Sequence, residues 1–385
     1  MNNEQLKGDK VIWIIAIILS VFSLLAVYSS TGSLAYRTQG GNTEFFLFKQ
    51  FFIVLLGIGL MYAAYRVPYN YFSRIAQFLF YFSIPMLLFA IFFGPEINGA
   101  RRTIFVPGTG LTFQPSDLAK LALIMYMARF LSKHQEEITD FKKGFMPILI
   151  RIIIITLLIL PGSLSTAAIV FVTSMIMLYM GRASFKHLAA LVGVGLAAFG
   201  LLLMIAFVAP KVLPRAETWK NRIVHFIYPD DEQNNQVLQS KIAVASGGFF
   251  GKMPGNSTQR NFLPHPYSDF VYAIIIEEYG MAGGVTIVLM YLILFFRALK
   301  IARRCDLKFG SFLVIGISFL LVFQAMINMG VAVNLLPVTG QTLPFVSMGG
   351  TSFWFTCLGI GMVLSVSRAV PESQNAPENV KYAAA

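Results

Sequence analysis

Three stretches of the chain place ionisable residues beside apolar runs, where an unpaired charge is costly and must face a polar interior, a cavity or a partner. The first runs from 98 to 124, NGARRTIFVPGTGLTFQPSDLAKLALI. Arg101 and Arg102 stand ahead of an apolar run that Asp117 and Lys120 open, three residues apart and so on one helix face. Arginine's planar set of donors suits a multidentate anion such as a pyrophosphate, whereas Asp117 and Lys120 could equally be a buried structural ion pair. Pro115 suits a helix start, with Ser116 or Asp117 as its cap.

The second stretch is NFLPHPYSDFVYAIIIEEYG, residues 261–280. Asp269 stands among Tyr267, Phe270 and Tyr272 at the mouth of an apolar run. Partial dehydration there raises a carboxylate's proton affinity, which would equip Asp269 to take a proton from a hydroxyl nucleophile. The plainer role is a helix cap. Glu277 and Glu278 follow inside the run, so at least one must face inward, with a structural charge pair as the alternative. The third stretch, NLLPVTGQTLPFVSMGGTSFW (334–354), is broken by two prolines and three glycines and offers the hydroxyls of Ser347, Thr351 and Ser352. Non-helical backbone at membrane depth is tolerated where it lines a polar cavity or is buried in protein. Arg151 is a fourth oddity, expected to neutralise an inward glutamate.

The elements that carry these residues are membrane helices. Of 385 residues, 56% are hydrophobic and 12% are Asp, Glu, Lys or Arg, against about 25% charged in soluble domains. Apolar runs long enough to cross a hydrocarbon core, about 20 residues, recur. The spans are expected near 11–30, 46–65, 73–93, 116–131, 144–160, 163–180, 187–209, 270–296, 310–333 and 346–367. The fold class is therefore all-α: a polytopic membrane protein of about ten helices, as a single domain over 1–369. The segment 210–269, between helices seven and eight, forms a large extracytoplasmic loop. Its aromatic and branched residues argue for order, and the Gly pair after QVLQSKIAVAS would end a short helix. Residues 370–385 read as a disordered cytoplasmic tail.

With the N-terminus in the cytoplasm, seventeen Lys and Arg fall inside and four (Arg37, Lys49, Arg101 and Arg102) fall in short outer loops. This is the bias of the positive-inside rule, and it explains the net charge of +12 without a nucleic-acid partner. Cys305 and Cys357 have no evident mutual partner. The four histidines are scattered and read as individually placed residues, and no P-loop, dinucleotide fingerprint, zinc cluster or nucleophile elbow is present. The residues alone thus give an outward-facing cavity lined by Arg101, Arg102, Lys120, Asp269 and Glu277 or Glu278. It would suit an enzyme acting on a lipid-linked anionic substrate, or a transporter for one.

The motifs Gly99-Ala100-Arg101-Arg102, Gln114-Pro115-Ser116-Asp117-Leu118-Ala119-Lys120, Phe262-Leu263-Pro264 with Asp269-Phe270, Glu277-Glu278-Tyr279-Gly280, Pro337-Val338-Thr339-Gly340 and Pro344-Phe345-Val346-Ser347 with Gly349-Gly350 occur in order. Together with the ten-span layout, they resemble the SEDS family (shape, elongation, division and sporulation) of bacterial cell-wall proteins over nearly the whole chain. The resemblance implies a peptidoglycan glycosyltransferase that polymerises lipid II at the outer face of the inner membrane and releases undecaprenyl pyrophosphate. It makes Asp269 the expected catalytic base, and Arg101, Arg102, Gln114, Ser116, Lys120, Glu277, Glu278 and Ser347 the expected substrate contacts. It implies a class B penicillin-binding protein as partner, other divisome proteins nearby, and Mg2+ or Mn2+ in some members.

Gly255-Asn256-Ser257-Thr258-Gln259 followed by Phe262 to Asp269 looks more like the division branch (FtsW) than the elongation branch (RodA), which leaves an elongation polymerase as the alternative. A lipid II flippase and a non-catalytic division scaffold are the rivals from other classes. One departure stands out. In Pro161-Gly162-Ser163-Leu164-Ser165-Thr166-Ala167, Ser163 occupies a position where many relatives carry aspartate, which puts metal binding in doubt.

Overall fold

A computed structural model describes residues 7–97, 99–106, 111–208, 215–228, 235–263 and 266–370. The expected disordered tail, Val370 apart, lies outside the described residues, as do 209–214, 229–234 and 264–265 of the long segment.

Helices dominate: α1 Lys10–Ser30, α2 Gly32–Gln39, α3 Thr43–Arg66, α4 Asn70–Phe93, α5 Pro115–Lys133, α6 Met146–Ile159, α7 Leu164–Met180, α8 Phe185–Val208, α9 Ala216–Ile227, α10 Asn235–Gly247, α11 Val271–Arg304, α12 Lys308–Ala332 and α13 Thr351–Ala369. All ten expected spans are helices. Seven of these (α1, α3, α4, α8, α11, α12 and α13) are long and apolar enough to cross a membrane by themselves, and α7 is a shorter apolar helix. α6, with 14 residues, follows a π-turn over Phe141–Phe145. α5 carries the polar residues Ser116, Asp117 and Lys120 in its first two turns.

The centre of the bundle is α5 and α12, which are buried around most of their circumference, while α8 buries only Leu188, Leu191 and Ala206 and lies at the rim. α3 packs on α13 because Gly361 lets α13 approach the Met61 backbone and Gly57 receives Phe353. Small residues at such crossings are the usual means of close helix association in lipid. Outward-facing Phe and Leu on α3 and α4, such as Phe52, Leu55, Phe78 and Phe92, are exposed, as a lipid-facing surface requires.

Between α4 and α5 the chain forms two short antiparallel hairpins, β1 Glu96–Ile97 with β2 Ala100–Arg101 and β3 Ile104–Val106 with β4 Leu111–Phe113. The long segment after α8 is ordered where described. α9 docks on the end of α8, with Lys220 over the Phe207 ring at 5.5 Å, and α10 packs on α11. Gly248, at φ 56°, ends the α10 stretch as the Gly pair foretold.

Candidate active site

Asp269 lies one residue before the N-cap of α11, Phe270, so the carboxylate caps nothing. Its Oδ1 accepts from the Ser268 hydroxyl at 2.6 Å. The preceding backbone is strapped to the broken segment between α12 and α13: Ser347 Oγ donates to Ser268 O at 2.6 Å, and Met348 N donates to Tyr267 O at 2.9 Å. From α12, Asn328 Nδ2 donates to Asp269 O at 3.0 Å and to Gln341 O at 2.6 Å. The backbone at Asp269 is thus held from two sides, by α12 and by the segment between α12 and α13, the kind of preorganised support a reacting group needs.

It faces a cavity of about 300 Å³ whose lining includes Lys49, Arg102, Gln114, Asp117, Lys120, Gln324, Gln341 and Ser352. On its floor Lys120 Nζ meets Asp117 Oδ1 at 2.7 Å, both nearly out of solvent, and reaches Gln324 Oε1 at 3.3 Å. The same-face reading of Asp117 and Lys120 holds. The cap does not: Gln114 is the N-cap, Pro115 takes the first helical position, and the Ser116 hydroxyl instead accepts from Gln114 Nε2 at 2.9 Å. Proline is suited to that first position because it has no N–H to leave unsatisfied.

The two arginines separate. Arg102 lines the cavity, while Arg101 is more than half exposed and reaches Glu96 at 4.0 Å. Both arginines and Ser116 also line a small side cavity of about 20 Å³ beside Gly162 and Ser163, so Arg102 alone reaches the larger one. Ser116 is not on the cavity wall, and Ser347 acts as a strap behind it, its Oγ also accepting from Leu343 N at 2.8 Å.

Glu277 and Glu278 do not line the cavity either. They begin two turns below Asp269, about 12 Å along the axis, and face the loop after α10. Glu277 accepts from Lys252 Nζ at 2.7 Å, Thr258 N at 3.1 Å and Thr258 Oγ1 at 2.9 Å, and from Ser257 Oγ. Glu278 accepts from Ser29 Oγ and from Ser257 N at 3.4 Å. The charge pair is structural and fastens this loop. Arg151 also departs from expectation: it donates to Pro147 O at 2.6 Å and lies over the Tyr126 ring at 5.2 Å, so its charge is met by a carbonyl and an aromatic face.

Two arginines from the long segment matter more than the sequence suggested. Arg222, on α9, donates to Thr339 O at 3.3 Å, and burial pulls its proton affinity down despite nearby Asp269. Arg215 donates to Gly162 O at 2.6 Å, and its pKa is lowered to about 10, first by burial and then by Arg222 and Arg102. Arg102, Arg215 and Arg222 therefore repel one another in a partly dehydrated place, which is the electrostatic condition for attracting an anion. No sequence signal marks Arg222, because it stands in a mixed-charge stretch of the long segment where several cations are equally placed. Ser163, at the position often acidic in relatives, caps α7 at Thr166 N, and Gln341 Nε2 reaches Thr166 Oγ1 at 2.9 Å.

The model of the FtsW/RodA/SpoVE family, described as cell cycle proteins, matches residues 9–372. The chain belongs to this family. This family member is 32% identical to stage V sporulation protein E of Bacillus subtilis over 96% of its own length and 99% of that protein's. It is 33% identical to a probable peptidoglycan glycosyltransferase FtsW of Geobacter sp., over 93% and 96%. Among solved structures, it resembles a chain of a peptidoglycan synthase complex coordinating polymerization and crosslinking, with TM-score 0.75 and 26% identity over 94% and 98% of the two chains. It also resembles rod shape determining protein RodA of Thermus thermophilus, with TM-score 0.68 and 25% identity over 95% and 99%. The SEDS resemblance read from the motifs is thereby shown, and with it the multi-pass membrane fold.

A divalent ion would find few protein ligands in this family member. Among the described residues no three His, Cys, Asp or Glu side chains gather. Asp117, a lining residue, has its Oδ2 buried without a hydrogen-bond partner, so one anionic oxygen besides Asp269 is left unmatched beside the cavity. That suits an ion such as Mg2+, which is commonly held by one or two carboxylates plus substrate phosphates.

Proposed function

We propose that the chain is a peptidoglycan glycosyltransferase that polymerises lipid II, with Asp269 as general base. The observation that carries this reading is a carboxylate, on backbone strapped by α12 and the segment after it, that faces a cavity also presenting Lys49, Arg102 and Lys120. In the step, Asp269 takes the proton of an acceptor sugar hydroxyl as its oxygen bonds to the donor's anomeric carbon. The bond from that carbon to phosphate breaks, and its electron pair leaves with undecaprenyl pyrophosphate. Lys49 and Arg102 stabilise the departing charge, because fixed cations need no reorganisation as charge develops. Gln114 and Lys120 orient the phosphates. Mg2+ or Mn2+, when bound, would be held by Asp269 and Asp117 and would supply further neutralisation of the phosphates.

The curated relatives named FtsW support a role in septal synthesis, and the RodA neighbours keep elongation as the alternative. A single domain over 1–369 sits in the bacterial inner membrane with both termini cytoplasmic and the cavity, α9 and α10 outside. The partner is a class B penicillin-binding protein, in keeping with the synthase complex among the structural neighbours, and other divisome proteins gather at the septum.

The test is polymerisation of purified lipid II by the full chain with its cognate transpeptidase. Wild type should build strands, and Asp269→Ala should lose at least 100-fold, the lower range for removing a general base, while still binding the partner. Asp269→Asn at full rate would remove Asp269 from proton transfer. Chelation followed by Mg2+ or Mn2+ add-back should lower and then restore the wild-type rate. Depletion in cells should give filaments for a septal role and rounded cells for elongation.

A further inference from the structure

A second cavity, of about 440 Å³, lies under α9, closed by the first turn of α10 and by the segment that follows α12. Its wall differs in kind from the first. Asn221, Gln236 and Asn334 bring three carboxamides, Thr218 a hydroxyl and Phe226 part of a ring face, while Glu217 and Arg222 balance in charge. Amides and hydroxyls with a flat apolar face are the complement of an uncharged N-acetylated sugar; a pyrophosphate would find one cation there with an anion beside it.

The two cavities are neighbours through one residue. Val338 lines the second and Gly340 the first. Around the point where a Cβ on Gly340 would sit, Asp269 Oδ2 is at 3.6 Å and Arg222 Nη2 at 3.9 Å. A glycine with φ 68° therefore leaves open the space between the carboxylate and the arginine of the second cavity.

Building on the glycosyltransferase reading, we infer that the cavity under α9 is the acceptor-sugar subsite. Displacement at an anomeric carbon needs the attacking oxygen on the face away from the leaving group. Lys49, Arg102 and Lys120 fix the side on which pyrophosphate departs. With Glu217 offsetting Arg222 the cavity carries no net charge, and Gly340 leaves room between it and Asp269, so a sugar seated in it delivers its hydroxyl to the carboxylate past Arg222. Asn221 and Asn334 are then binding residues that hold the acceptor's amide and hydroxyl groups.

Two variants test this in the full chain with its transpeptidase. Asn221→Ala keeps a good helix former in α9. Asn334→Gly removes the amide while permitting that residue's φ of 58°. The double variant should raise the lipid II concentration at half-maximal rate about tenfold, as two lost hydrogen bonds predict, with affinity for undecaprenyl pyrophosphate unchanged. In an Asp269→Ala background, tetra-N-acetylchitotetraose should bind, and should bind about tenfold more weakly once both asparagines are replaced. Gly340→Ala should lower the turnover rate while leaving tetrasaccharide binding in place. If wild type polymerises but the tetrasaccharide does not bind, or binds equally well to the double variant, the subsite is overturned and the glycosyltransferase reading stands. If wild type makes no strands with its partner bound, both fall.

Discussion

Asp117 and Lys120 meet at 2.7 Å with side chains 3% and 8% exposed, and Gln324 shares the lysine. Removing one member of such a pair strands the other charge. Asp117→Ala is expected to cost about 3–5 kcal/mol of stability, read as a lowered Tm in detergent. Asp117→Ala with Lys120→Met should recover most of that loss, since neither charge is then left buried alone. Polymerisation should not recover, because Lys120 also lines the cavity. A double variant that regains full activity would reduce the pair to a structural one. Asp269 and this pair were legible in the sequence because charges beside apolar runs stand out there. Arg222 was not, because nothing in a polar loop sequence says which cation folds back onto a carboxylate 47 positions later.

At the scale of elements, the stretch after α10 is sewn to α11 where that helix kinks. Gly280 sits at φ 71° inside α11, and a Cβ there would overlap Phe249 O. The kink lets Met281 N reach Gly248 O at 2.9 Å and Lys252 N reach Glu277 O at 2.9 Å. Gly280→Ala therefore meets both a backbone penalty of about 1–3 kcal/mol and a clash. The expected outcome is faster trypsin cleavage at Lys252 and Arg260 with the remaining helices intact; unchanged cleavage would mean the kink does not hold this loop. The sequence placed Glu277 and Glu278 inside correctly, yet aimed them at the cavity. What aims them elsewhere is the return of residues 252–260 onto α11, a contact that local periodicity cannot show. Arg151 went astray for the same reason, its partners being a carbonyl one turn away and the ring of Tyr126 on a neighbouring helix.

Over the whole molecule, the ten spans were legible because the energetic demand of lipid is written continuously along the chain, residue after residue. The long α11 shows the limit of that reading: its apolar stretch was expected to stop near 296, but the helix continues to Arg304 because a basic helix end remains favourable outside the hydrocarbon. The two ends of the bundle carry opposite business. Lys49, Arg102, Asp269 and α9 gather at one end, whereas Asp9, which caps α1, meets Arg297 at 2.7 Å at the other. Seventeen basic residues against four are the ground for proposing that the Asp9 end lies in the cytoplasm. In a Cys305→Ser background, where Cys357 stays buried, a single cysteine introduced by Glu217→Cys should react with a membrane-impermeant maleimide in intact spheroplasts. One introduced by Asp306→Cys should react only after the membrane is opened. The reverse pattern would put Asp269 on the cytoplasmic side, where a strand polymerised for the wall would have to be exported, and the proposed reaction would lose its compartment.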